Sequence, residues 1–95
     1  EAAWLAYLAP FFEKFTVKPP ARLSEIYKSF LIDEDMLDVL CELRPRVVSF
    51  HFGLPAQAKV KRLKESGIVL FSTATNLVEA LQAQEAGIDA VIAQG

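Results

Sequence analysis

The chain has 95 residues, of which 53% are hydrophobic and 23% are charged, and its formal net charge is −2 at pH 7. This length suits one small domain or part of a larger one, and the apolar content excludes a disordered polyelectrolyte. The charge predicts neither nucleic acid nor a membrane surface as a partner, and the single cysteine excludes an internal disulfide and a cysteine-based zinc site. We expect no metal site.

Residues 1–43 are predicted to be mainly helical. Apolar and aromatic side chains from Trp4 to Phe15 recur at helical spacing. Pro10 is expected to end one helix or begin another, because proline has no backbone N–H to donate. Residues 16–20 are a predicted break, and residues 23–31 are ambiguous between a loop and a short helix. The acidic residues 33–35 are expected to begin a helix that runs to Pro45.

Three short apolar runs in the rest of the chain predict β-strands, at residues 47–52, 68–73 and 89–94. The runs are nearly continuous, which is typical of parallel strands covered on both faces. Two helical patterns separate them. The first is expected to begin at Pro55 and to expose its charged residues 59–64 to solvent. The second is expected to begin with Asn76 as its N-cap and Glu79 completing a capping box.

Both of these helices end in the same phrase, at residues 65–68 and 85–88, with Gly67 and Gly87 in equivalent places. Glycine is favoured there because it readily adopts the left-handed conformation that ends a helix. Strands and helices that alternate over such short connections predict parallel crossovers and therefore the α/β class. We treat residues 1–95 as a single partial domain, with a helical part (1–43) and a βαβαβ part (44–95).

Polar residues follow all three predicted strands, which is where ligands bind in α/β sheets and barrels. His51, the stretch 72–76 and Gln94 therefore form a candidate ligand site. Each also has a structural interpretation: His51 as a hydrogen-bonded core histidine, Thr75 and Asn76 as turn and cap residues, and Gln94 as a partner of backbone groups. Cys41 is interpreted as a small core residue. The chain contains no nucleophile elbow and no glycine-rich phosphate loop.

Three segments, Arg44–Pro55, Ser72–Ala80 and Glu85–Gly95, resemble the nitronate monooxygenase family in their order and spacing. The resemblance is close over residues 44–95 and loose over residues 1–43. It implies an FMN-dependent (β/α)₈ TIM barrel that oxidises alkyl nitronates with molecular oxygen. The chain would then contribute three consecutive parallel strands with their crossover helices, preceded by N-terminal helices.

The resemblance also implies roles for single residues. Gln94 matches a family glutamine that contacts FMN, with Gly95 beside it, and His51 and Thr73 would lie at the rim near flavin and substrate. The family's catalytic histidine belongs to a Gly-Gly-His element just beyond Gly95. We therefore assign no catalytic residue and expect a cytoplasmic fragment that is inactive alone. Its partners would be a small nitronate or nitroalkane and O₂. The alternatives are a fragment of an FMN-dependent enoyl-acyl-carrier-protein reductase and a purely structural α/β module.

Overall fold

The computed structural model describes residues 1–95 and contains four helices and three strands. Their order is α1 (Ala2–Lys14), α2 (Glu34–Leu43), β1 (Val47–Phe50), α3 (Gln57–Glu65), β2 (Val69–Ala74), α4 (Leu77–Glu85) and β3 (Ala90–Ala93). The strands form one parallel sheet in the order β1-β2-β3. The predicted α/β class and the alternation of strands with helices are confirmed. None of the four helices has the length and apolar content needed to cross a bilayer.

The hydrophobic core lies between one face of the sheet and helices α2 to α4. Its buried members come from every element except α1 and β3: Leu37, Phe50, Val60, Leu63, Ile68, Leu70, Ala83 and Ile88. Along β2 the buried residues alternate with half-exposed ones, as expected for a strand that has one covered face. The two faces of the sheet therefore have different environments.

The prediction that the strands are covered on both faces is wrong for this chain. The second face carries Val47 and Val69, whose exposures are 47% and 42%, and strand β3 contains no buried residue. The apolar side chains of this face are therefore left largely exposed. The apolar runs in the sequence indicate a sheet with two buried faces, whereas residues 1–95 bury only one of them.

The repeated turns end α3 and α4 as predicted. Gly67 and Gly87 have φ values of +81° and +86°. In each turn the backbone amide three residues past the helix donates to the carbonyl five residues earlier: Ile68 N to Leu63 O at 3.2 Å, and Ile88 N to Ala83 O at 3.0 Å. This is the Schellman arrangement, and it directs the chain from the helix into the next strand.

Pro10 lies inside α1 and does not divide it, so the expected helix boundary there is wrong. The helix continues past Pro10 to Lys14. It ends where Thr16 adopts a left-handed conformation with φ of +54° and Val17 N bonds to Phe12 O at 2.9 Å. The predicted break at residues 16–20 is therefore in the right place. Residues 23–31 form turns without a helix.

Helix α3 begins two residues later than predicted, because Ala56 is extended (ψ 149°) and serves as the N-cap. Pro55 precedes the helix and is buried. The expectation that residues 59–64 form a solvent-exposed face is wrong for Lys59, which is 7% exposed. Its ammonium binds Glu34 at 2.9 Å and the carbonyl of Phe30 at 3.3 Å, so the charge is paired where it is buried.

Cys41 is half-buried in α2 and packs against the core, which confirms its interpretation as a small core residue. Helix α2 itself begins as predicted: the side chain of Asp33 accepts a hydrogen bond from Met36 N at 3.0 Å. An acceptor at this position satisfies one of the unpaired amides of the first helical turn.

Candidate functional site

The parallel register places the carboxyl ends of all three strands at one edge of the sheet. Phe50 is paired with Ser72, and Thr73 with Ile92. The residue after β1, His51, therefore lies beside Thr73, and the residue after β3, Gln94, lies beyond Ile92. The backbone amide of Gln94 extends the pairing of β3 with β2 by donating to Ala74 O at 3.0 Å. The sequence prediction that polar residues of three segments meet at one rim holds for His51, Thr73 and Gln94.

His51 and Thr73 are in direct contact. The Thr73 Oγ1 atom lies 2.9 Å from Nδ1 of His51. His51 is exposed at the end of the strand, whereas its neighbour Phe50 is buried, so the structure excludes the interpretation as a core histidine. Phe52, on its other side, is 96% exposed.

The first turn of α4 brings a carboxylate to the same edge. Glu79 Oε2 accepts hydrogen bonds from Thr75 N at 2.7 Å and from Thr75 Oγ1 at 2.9 Å. Asn76 Oδ1 accepts from Glu79 N at 3.0 Å, which confirms Asn76 as the N-cap. In the predicted capping box the Glu79 carboxylate would bind the amide of Asn76, but it binds the amide of Thr75, one residue earlier. The Thr75 hydrogen bonds hold the pKa of Glu79 below its ordinary value, because they stabilise the charged form.

A cavity of about 480 Å³ lies at this edge. Most of its lining is polar and comes from the segments after β1, within and after β2, in α4 and after β3: His51, Phe52, Gly53, Leu54, Ser72, Thr73, Thr75, Glu79, Gln82 and Gln94. This volume falls within the range of small-molecule sites, about 300–1,000 Å³. Convergent polar groups from four segments are what such a site needs to orient a ligand.

Gly95 is not among the lining residues, although it follows Gln94 directly. A methyl group built at Gly95 would meet no atom within 4 Å. Its expected part in cofactor binding therefore stays a prediction from the resemblance, whereas Gln94 has a place in the cavity.

The chemistry of the lining favours a neutral polar group over a phosphate. No lysine or arginine lines the cavity, and Glu79 contributes a negative charge. The amides of Gln82 and Gln94 can each donate and accept hydrogen bonds, as can the hydroxyls of Thr73 and Thr75. This set fits the carbonyl and N–H edge of a planar heterocycle. The chain has no group of three or more His, Cys, Asp or Glu side chains placed to hold a metal ion.

A second depression, of about 340 Å³, lies along α1 and is lined only by Leu8, Phe11, Phe12, Phe15 and Val17. It offers no polar group to orient a small molecule, and it lies on an element that packs against none of the strands. We therefore take the cavity at the strand ends as the candidate functional site.

Two lining residues, Glu79 and Gln82, were not singled out as site residues from the sequence. The sequence suggested only a capping role for Glu79 and no role for Gln82. Their spacing contains the missed signal: residues three apart lie on one face of a helix, and the N-cap Asn76 directly follows the polar stretch after β2.

The chain is similar to known proteins in both sequence and structure. The family model described as nitronate monooxygenase matches residues 12–95. A nitronate monooxygenase of Paraburkholderia phytofirmans is 55% identical over the whole chain, and one of Pseudomonas aeruginosa is 50% identical over the whole chain. The chain covers 26% and 27% of these two relatives, so it spans about a quarter of their length.

A solved structure shows the same arrangement. The nitroalkane oxidase of Streptomyces ansochromogenes superposes with a TM-score of 0.84 over 99% of this chain and 26% of that protein, at 32% sequence identity. This match confirms the predicted architecture, a part of a (β/α)₈ barrel with three consecutive parallel strands and their helices.

Proposed function

The chain belongs to the nitronate monooxygenase family, and we propose that it forms one sector of an FMN-dependent enzyme that oxidises alkyl nitronates with molecular oxygen. The observation that carries the proposal is the cavity at the strand ends. It brings His51, Thr73 and Gln94 together on one rim, and these are three of the residues that the family resemblance relates to flavin and substrate.

The lining supports a flavin ring better than a flavin phosphate. In the proposed enzyme Gln94 holds the polar edge of the isoalloxazine through its amide, and Gly95 follows it in the chain. The bound flavin supplies the redox chemistry, while the protein supplies binding, orientation and electrostatics. Because no basic side chain lines the cavity, the phosphate of FMN is bound by another part of the enzyme.

The small substrate enters from the open side of the sheet, where His51 and Thr73 contribute polar atoms and Phe52 an exposed ring. The Glu79 carboxylate repels an anion that approaches from the α4 side. This charge directs a negatively charged nitronate toward the β1 side of the cavity, next to His51. A cytoplasmic location is part of the proposal, and cell fractionation of a tagged protein tests it.

We further propose that residues 1–95 do not turn over nitronates by themselves. The histidine imidazole of the cavity is bonded to a threonine hydroxyl and has no carboxylate to orient it as a base. No other histidine is present in the chain. The catalytic histidine implied by the resemblance is thus required in addition to the groups described here.

The test is the oxygen consumption of the full-length enzyme on alkyl nitronates, together with its flavin absorbance. We expect a yellow protein that consumes O₂ with nitronates, and no consumption by residues 1–95. Purified protein without flavin, or with flavin but without O₂ uptake, contradicts the proposal. Oxidation of reduced nicotinamide with an enoyl-thioester substrate would instead support the reductase alternative.

A glutamine pair tests the cofactor site separately. Gln94→Ala is expected to weaken FMN binding about tenfold or more, as loss of one or two hydrogen bonds in a desolvated site does. Gln84→Ala removes a glutamine of α4 that does not line the cavity, so its flavin affinity should equal that of the unaltered protein. Titration followed by flavin fluorescence measures both. Equal affinities for the two variants would remove Gln94 from the flavin site.

A further inference from the structure

The contact between His51 and Thr73 is the one direct side-chain hydrogen bond between the ends of two strands in this cavity. Thr73 lies in β2 and His51 follows β1, and the parallel register holds the two side chains on the open face of the sheet. The hydroxyl reaches Nδ1 of the imidazole at 2.9 Å, while Nε2 makes no hydrogen bond within the chain. A histidine with one nitrogen bonded and the other free is a histidine whose two tautomers differ in energy.

We propose that Thr73 is a positioning residue that fixes His51 as the tautomer with its proton on Nε2, so that the imidazole presents an N–H donor to the cavity. The Thr73 hydroxyl donates a hydrogen bond to Nδ1 and keeps its proton. Nδ1 then carries no proton, and in a neutral ring the single proton must be on Nε2.

The direction of this hydrogen bond follows from the protons available. If Nδ1 carried the proton and the hydroxyl accepted it, the hydroxyl proton of Thr73 would need another acceptor. Within the chain, Thr73 Oγ1 makes no hydrogen bond except the one to His51, so that acceptor would have to be solvent. With the hydroxyl as donor, both the hydroxyl proton and the Nδ1 lone pair are satisfied by one interaction. An unprotonated imidazole nitrogen is also a stronger hydrogen-bond acceptor than an alcohol oxygen, which favours the hydroxyl as the donor.

The tautomer decides what His51 can do. A ring that carries its proton on Nε2 cannot accept a proton at that atom, and its Nδ1 is already occupied. His51 therefore acts as a hydrogen-bond donor and not as a general base. The ligand it fits is an oxygen that carries partial or full negative charge, such as one of the two oxygens of a nitronate. This last step rests on the proposed function, whereas the tautomer itself does not.

The experiment exploits the fact that His51 is the chain's single histidine. Long-range ¹H–¹⁵N correlation spectra of the chain, recorded at a pH where the imidazole is neutral, report which ring nitrogen carries the proton. We expect the Nε2–H form to exceed the Nδ1–H form by about tenfold, the ratio that one net hydrogen bond supplies. A ring protonated mainly on Nδ1 overturns the proposal.

Three variants complete the test. Thr73→Val keeps the shape of the side chain and removes the hydroxyl, and it should lower the tautomer ratio by about fivefold or more. Thr73→Ser keeps a hydroxyl and should restore the ratio. Thr75→Val removes a hydroxyl from the same cavity that is bonded to Glu79 and not to His51, so it should leave the ratio unchanged. A ratio that does not respond to Thr73→Val, or that responds equally to Thr75→Val, overturns the proposal.

Failure of this inference and failure of the proposed function give different results. If the full-length enzyme does not oxidise nitronates but the tautomer follows the Thr73 variants, the positioning role stands and the substrate is wrong. If nitronates are oxidised but the tautomer does not depend on Thr73, the proposed function stands and Thr73 has no positioning role.

Discussion

Asp89, the residue directly before strand β3, accepts hydrogen bonds from two other segments of the chain. Its carboxylate accepts from Leu70 N at 2.9 Å and from Lys64 Nζ at 3.0 Å, and Lys64 also donates to Gly87 O at 2.6 Å. Leu70 is fully buried, so its amide needs a partner inside the protein. The Asp89 carboxylate thus joins the turn before β3 to strand β2, and Lys64 joins helix α3 to the same turn.

These contacts predict a dependence of stability on pH. The hydrogen bond from Leu70 N, followed by that from Lys64, lowers the pKa of Asp89 in the folded chain. As the pH falls below about 4, the Asp89 carboxylate is therefore protonated in the unfolded chain before it is protonated in the folded chain. The stabilisation is complete above that value and is lost as the pH falls through the lower pKa of the folded state.

Asp89→Asn tests this dependence by urea unfolding at several pH values between 7 and 2. At pH 7 the variant's free energy of unfolding should be lower by about 1 kcal/mol, which is less than the usual value for charged hydrogen bonds because Asp89 is partly exposed. Its free energy of unfolding should also fall less steeply in acid than that of the unaltered chain. Leu63→Ala, which changes no titrating group, should lower stability equally at each pH. Parallel acid profiles for Asp89→Asn and the unaltered chain would contradict the prediction.

The start of helix α4 links the stability of an element to the geometry of the cavity. Asn76 caps the helix, and Glu79 in its first turn holds the chain before it through Thr75. Because Glu79 and Gln82 both line the cavity, fraying of this first turn would move two of its walls.

Asn76→Ala is expected to destabilise the chain by about 1 kcal/mol, the usual cost of losing an N-cap acceptor. Asn76→Asp keeps an acceptor at the same place and adds a charge that is favourable at a helix N-terminus, so it should be close to neutral. Urea unfolding followed by circular dichroism measures both. Equal losses for alanine and aspartate would show that the cap hydrogen bond does not stabilise α4.

Local rules predicted the start of α4 and the ends of α3 and α4, but neither the continuation of α1 through Pro10 nor the burial of Lys59. The cap at Asn76 and the glycine turns depend on hydrogen bonds within a few residues, so the sequence contains the information needed to locate them. Lys59 is different, because its burial depends on Phe30 and Glu34, which are 29 and 25 residues away. The same holds at the site: the rim residues were predicted from the strand ends, whereas the bond between His51 and Thr73 depends on the register of the sheet.

At the scale of the whole molecule, α1 is separate from the α/β part. It contains no buried residue, and it packs against none of the other helices or strands. Its aromatic residues are largely exposed, with Trp4 at 62% and Phe15 at 70%. A hydrogen bond from Leu23 N to Glu1 Oε1, at 2.8 Å, links it to the loop that follows. The α/β part should therefore not depend on α1 for its stability.

Deletion of residues 1–17 tests this separation. The urea midpoint of the remaining chain, followed by circular dichroism, should match that of the full 95 residues. Trp4 is the single tryptophan and lies in α1, so its fluorescence should change at a lower urea concentration than the circular dichroism of the intact chain. Leu37→Ala is the contrasting variant: because it leaves a cavity in the core, it should lower the free energy of unfolding by about 2–5 kcal/mol. A single coincident transition by both probes would contradict the prediction.

The order β1-β2-β3 has a consequence for the way the chain is made. Each strand pairs with the one that precedes it in sequence, as in the pairs Val47–Val69 and Phe71–Ala90, so the partner of every new strand has already been synthesised. A ribosome adds about 5–20 residues per second, so successive strands separated by about twenty residues emerge roughly one to four seconds apart. Single hairpin-sized units form far faster than that. The sheet can therefore grow one strand at a time from the ribosome, with each strand and its crossover helix docking before the next is translated.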